Sequence, residues 1–98
     1  MSQNNELTPS QAAECRLNYP PGTRILLEHM DDMFAVPDGT RGTVDHVDDA
    51  GQIHMRWDNG RTLAIMPQVD SFRKLTKEDL SQEQNMDIKV RGMEEMRL

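Results

Sequence analysis

The sequence predicts a mainly β fold: a five-stranded antiparallel barrel over residues 20–75, a short N-terminal helix, and a C-terminal extension over 76–98. Three observations predict it. Short runs of alternating apolar and polar residues, such as Ile53-His54-Met55-Arg56-Trp57, have the period of two that half-buried strands require. Turn signals separate these runs, the strongest being Asp58-Asn59-Gly60, where Asn-Gly supplies the positive backbone angles of a tight hairpin. Several short strands closely spaced in this way read as a small barrel or sandwich. Before them, a helix start at Thr8 is cut off by Pro20-Pro21.

Taken in order, residues 1–7 are polar and carry no periodicity. Thr8-Pro9-Ser10-Gln11 is a helix N-terminus: Thr8 caps, Pro9 suits the first helical position, and Gln11 is placed to close a capping box. The helix runs to about Asn18, with Leu17 and Tyr19 expected to close one end of the barrel. Thr23 to His29 forms the first strand, with Ile25 and Leu27 inward, and Met30 to Gly39 is a long loop. Arg41 to Val47 is the second strand; Val44 and Val47 lie three apart, which breaks strict alternation and predicts a bulge. Gln52 to Asp58 follows an aspartate-glycine turn and points Ile53, Met55 and Trp57 to one face. Arg61 to Met66 answers it across the Asn-Gly turn, with Leu63 and Ile65 inward, and Phe72 to Leu75 completes the five. A barrel this small buries only about 60% of its unfolded surface, so the N-terminal helix is expected to pack on it.

The extension begins with a second helix start at Thr76, anchored by Leu80. Beyond it, Met86, Ile88 and Val90 alternate with Asp87, Lys89 and Arg91. That pattern suits a strand that closes the chain's own barrel or pairs with the sheet edge of a partner, a second copy included. A segment too charged to order itself is the third alternative.

Length and composition narrow the function classes. Ninety-eight residues leave room for one domain, and 36% apolar content supports only a small core. No run approaches the ~18 apolar residues of a membrane span, and no basic-then-apolar leader opens the chain, so a cytoplasmic protein is expected. Eleven basic against seventeen acidic groups give a net charge of −6, shared between the helix, barrel and extension segments. That balance disfavours phosphate backbones and anionic membranes as partners.

Two longer stretches, YPPGTRILLEHMDD and GTRGTVDHVDDAGQIHMRWDNGRTLAIMPQVDSF, resemble a bacterial family of small SH3-like barrels catalogued as a domain of unknown function. The resemblance covers about Leu17 to Leu75. It implies an SH3-like barrel and a setting on conjugative elements and prophages, and it brings no catalytic residue. Gly42-Thr43-Val44 and Met55-Arg56-Trp57-Asp58-Asn59-Gly60 are also similar to KOW-type barrels, which contact RNA or polymerases, and to the peptide-binding barrel of Mind bomb ubiquitin ligases.

No chemistry-bearing motif supports an enzyme. Cys15, the single cysteine, lies on the helix with no base paired to it in the sequence, and Asp70-Ser71 lacks a nucleophile-elbow pattern. The aspartates do not follow the register of a calcium loop, and nothing in the spacing of His29, His46 and His54 brings them together, so neither a metal nor a cofactor is expected. Binding remains. The expected role is a non-enzymatic protein-binding module of a mobile element, in one form an acidic inhibitor that presents Asp31, Asp32, Asp45, Asp48, Asp49 and Asp58 to the basic channel of a host defence nuclease. His54 and Arg56, on the outer side of the central hairpin, and Met86, Ile88 and Val90 in the tail complete the candidate contact residues. The alternatives are a KOW-like nucleic-acid module, using Arg24, Arg41, Arg56, Arg61, Arg73 and Lys74 as a basic stripe, and a structural protein that oligomerises through its tail.

Overall fold

The computed structural model describes residues 7–84. Helix α1 spans Pro9–Asn18, followed by strands β1 (Arg24–His29), β2 (Arg41–Val47), β3 (Ile53–Trp57) and β4 (Ser71–Lys74). A second helix, α2, covers residues 77–84. The strands form one antiparallel sheet in the order β3-β2-β1-β4.

Helix α1 starts as its sequence dictates. Thr8 Oγ1 accepts from the Gln11 amide and Gln11 Oε1 accepts from the Thr8 amide, so two otherwise orphaned donors are satisfied. Its inner face is Ala12 and Cys15, three residues apart, with Tyr19 one turn further on. Leu17 does not close the core as expected. It lies two residues from Cys15, on the opposite side of the helix, and is 83% exposed. Tyr19 packs on Phe72 of β4 with ring centroids 5.6 Å apart, and the Lys74 ammonium lies over the Tyr19 ring. Leu7 packs instead against Gly51, whose φ of +85° closes the β2–β3 turn.

Alternation places the core. Ile25 and Leu27 of β1, Val44 and Val47 of β2, and Ile53, Met55 and Trp57 of β3 are buried together with Met30, Val36 and Ile65. The expected bulge is present: the β2–β3 register shifts between Val44 and His46. Because of that extra residue, Asp45 and His46 both face solvent while Val44 and Val47 both face inward.

The sheet is open, with four strands rather than the expected closed five. Residues 61–66 return along β3, but only Ile65 forms a bridge, exchanging both backbone bonds with Ile53. Trp57 N–H donates to the Arg61 carbonyl, so the same hairpin register holds at its other end. Between these points the Leu63 carbonyl accepts from Trp57 Nε1 at 2.8 Å and takes no backbone donor. The indole, buried against Leu63, thus competes for a group that a regular fifth strand would pair. The expected tail strand, Met86, Ile88 and Val90, lies outside the described residues.

Candidate functional site

The described residues form a small core and no pocket, so the candidate site is a surface. Three features of that surface carry side chains the core does not need.

The first is the outer face of the β2–β3 hairpin. His46 and His54 are opposite one another in the register, and their rings stack 4.3 Å apart at an interplanar angle of 7°. His46 Nδ1 donates to Asp45 and His54 Nε2 to Asp48, each at 2.8 Å. Arg56 approaches the second Asp45 oxygen at 3.8 Å. Asp48 also caps its own turn, accepting from the amides of Ala50 and Gln52. Burial pushes the Asp48 carboxyl up, but the bonds from His54, Gln52 and Ala50 outweigh it, and the group lies below the ordinary carboxylate range. His29 is elsewhere, bonded to Asp38 at 3.1 Å. Among the described residues no three metal-ligating side chains converge.

The second is a charge network at the other end of the sheet. Arg24 makes a two-pronged contact with Asp58, both N–O distances being 2.8 Å, and a second with Glu83 of α2. Arg41 reaches the same Glu83 oxygen at 3.2 Å. Arg73 pairs with Asp79, which also accepts from the Thr76 amide and so caps α2. Away from this network, in the β2–β3 turn beside Asp48, Asp49 pairs with Arg16.

The third is the loop between β1 and β2. Its root is fixed by Met30 and Val36, both buried, and by hydrogen bonds of Leu27 with Gly39 and Thr40. Asp70 braces the loop at a distance, its two oxygens accepting from the amides of Asp31 and Met66. At the tip, Asp32 accepts from the Phe34 amide, and Arg61 donates to the carbonyls of Phe34 and Ala35. The backbone is held, yet Met33 is 89% and Phe34 70% exposed. Large exposed apolar side chains on an ordered loop are the informative exception to burial.

Of the six aspartates named from the sequence, four are paired within the chain. Asp45, Asp48, Asp49 and Asp58 each hold an imidazole or a guanidinium of the same chain. Asp31 and Asp32 immediately precede the exposed Met33-Phe34 pair. In the basic stripe, Arg24, Arg41, Arg56 and Arg73 likewise face carboxylates. His54 and Arg56 do share the hairpin's outer face, whereas Met86, Ile88 and Val90 lie outside the described residues. Cys15 is buried, and burial pushes its thiol up, so its thiolate is disfavoured. Sequence reasoning missed Met33, Phe34, Asp70 and Glu83. A signal existed only for the first two, as the one bulky apolar pair between Asp31-Asp32 and Pro37-Asp38.

The paired carboxylates set an acid limit. The Arg24 hydrogen bond holds both Asp58 and Glu83 below their usual range, and the Thr76 amide followed by Arg73 lowers Asp79 to about 2. Depressed folded-state values contribute stability that is fully present above the unfolded carboxylate range, about pH 4, and is lost as pH falls through the folded values. The urea midpoint is thus expected to be flat from neutrality down to about pH 5 and to drop between about pH 4 and 2. Asp58→Asn should make that drop shallower. An unchanged acid slope in this variant would remove Asp58 from the account.

Comparison with curated proteins and with solved structures returns no match. A family model matches residues 8–75, beginning at the cap of α1 and ending at Leu75, before α2. The resemblance seen from Leu17 onward therefore extends back through α1. The chain belongs to the family described as a domain of unknown function (DUF4314).

Proposed function

We propose that the chain is a non-enzymatic protein-binding module with an SH3-like barrel, and that it docks through the tip of its β1–β2 loop. The SH3-like reading rests on connectivity: a long loop after β1, a tight turn after β2, a hairpin after β3, and a last strand that returns to pair with β1. Residues 61–66, which return along β3 and bridge it once at Ile53–Ile65, support this reading as its fifth segment.

The observation that carries the docking proposal is the exposed Met33-Phe34 pair on a backbone fixed by Asp32, Arg61 and Asp70. A preorganised aromatic anchor loses little entropy on binding, which is the usual property of an interface hot spot. Asp31 and Asp32 immediately precede it, and Asp38 lies at the foot of the loop. The partner that fits is a protein with an apolar pocket rimmed by basic side chains. A nuclease inhibitor carried on a mobile element is one form of this reading, with Asp31 and Asp32 rather than the self-paired aspartates facing the basic groove.

A photo-crosslinking residue at position 34 tests this in lysate of the source organism, with one at exposed Leu17 as the control. Capture should occur at 34, not at 17, and should be competed by unlabelled wild-type chain. The Met33→Ser, Phe34→Ser double variant should not compete, its affinity falling at least tenfold, about 1.4 kcal/mol or more. Its folding stability should stay within about 0.5 kcal/mol, since both side chains are solvent-facing. Equal competition by the double variant would sink the proposal. Capture of a second copy, with a doubled mass in sedimentation, would replace the foreign partner by a homodimer.

A further inference from the structure

Helix α2 lies beyond the matched domain and packs on it without a buried side chain. In the sequence 77–84, Lys-Glu-Asp-Leu-Ser-Gln-Glu-Gln, only Leu80 is apolar, and it remains 36% exposed. No residue of α2 is buried. Among the described residues, its polar anchors are ion pairs: Glu83 on Arg24 and Arg41, and Asp79 on Arg73. The contact with Arg24 is two-pronged, at 2.6 and 3.4 Å, and Glu83 Oε2 also sits 3.2 Å from Arg41. The Thr43 hydroxyl adjoins them, 3.1 Å from Arg24 Nη1. A single oxygen between two guanidiniums, with a hydroxyl near by, is the environment of a bound oxyanion.

We propose that α2 is a displaceable acidic strap and that Glu83 occupies, in place of a ligand, a phosphate site formed by Arg24, Arg41 and Thr43. Asp58 remains on Arg24 when the strap lifts, so the site keeps one carboxylate. It therefore takes an isolated phosphate group more readily than a long polyanion, which the net charge of −6 repels. A phosphate carries up to two charges and bonds both guanidiniums at once, whereas Glu83 brings one charge. A helix held chiefly by ion pairs also loosens with salt, because screening acts on partly exposed pairs and not on apolar burial.

The full-length chain tests this as wild type, Glu83→Gln and Arg41→Gln. Amide hydrogen exchange over 77–84 should quicken in Glu83→Gln at low salt, and in wild type at high salt, while β1 and β2 stay protected. Inorganic phosphate and a short single-stranded DNA are then titrated separately, following the Arg24 and Arg41 side-chain N–H signals. Glu83→Gln should bind phosphate at least tenfold more tightly than wild type, and Arg41→Gln should lose the response. A response to both probes identifies the site as one for phosphate in either form; a response to inorganic phosphate alone restricts it to isolated groups. If exchange over 77–84 ignores both salt and Glu83→Gln, the strap is overturned. If Glu83→Gln gives no response to inorganic phosphate, or only the DNA shifts the signals, the phosphate assignment is overturned.

Discussion

Trp57→Ala is expected to lower the unfolding free energy by about 3–5 kcal/mol, the range for removing a buried aromatic ring. Trp57 is 3% exposed and packs among Val44, Met55, Ile65 and the other core residues. A domain of this size is stable by only about 5–15 kcal/mol, and a small core places it toward the low end, so the variant should be partly unfolded at ambient temperature. Urea denaturation followed by far-ultraviolet circular dichroism measures it. Trp57→Phe separates two parts of the effect. It keeps an aromatic ring in the core but removes the Nε1 bond to the Leu63 carbonyl. Leaving that carbonyl without its partner costs about 1–3 kcal/mol, and exchange of the 61–66 amides should quicken. A phenylalanine variant with wild-type stability and wild-type exchange would show that the indole bond does not hold the fifth segment.

Gly42→Ala is expected to cost about 1–3 kcal/mol although the residue sits in a strand, where alanine is ordinarily the better choice. Gly42 lies directly opposite Trp57 in the β2–β3 register. A Cβ there would stand 2.6 Å from Trp57 Cε3 and 3.1 Å from both the Arg56 carbonyl and the Met55 methyl. The methionine methyl can swing aside; the indole and the backbone carbonyl cannot without moving the sheet. The strand weakens because a neighbour already fills the space, not because of φ, which is not in the left-handed region. A double-mutant cycle with Trp57→Leu isolates the clash, since leucine places no six-membered ring at that point. A coupling of about 0.5–3 kcal/mol is expected, and additivity of the two substitutions would contradict the contact.

Most elements were legible in the sequence because their signals are local. The α1 cap, the bulge in β2, the place of the Asp58-Asn59-Gly60 turn and the inward faces of β1, β2 and β3 depend on residues within a few positions of one another. In the Asp58-Asn59-Gly60 turn only Gly60 takes the positive φ expected of both Asn59 and Gly60, because Trp57 pairs with Arg61 across three residues rather than two. Two expectations failed where a local pattern met a distant competitor. Residues 61–66 alternate like a strand, but the Trp57 indole takes a carbonyl the ladder would need. Leu17 is a strong apolar residue on a short helix, but the core accepts only the Ala12 and Cys15 side of it.

The surface divides in the same way. By itself the sequence determined that this protein has a small β core and an excess of acid, because composition and short-range spacing are sufficient for both. Only the tertiary structure decided which charges are spent on one another. Asp58 and Glu83 are 34 and 59 positions from Arg24, and Asp70 is 39 from Asp31, separations at which no periodicity operates. It also left Met33 and Phe34 in solvent, since burial depends on what the remaining chain can reach, and the core closes on Met30 and Val36 at either side of them.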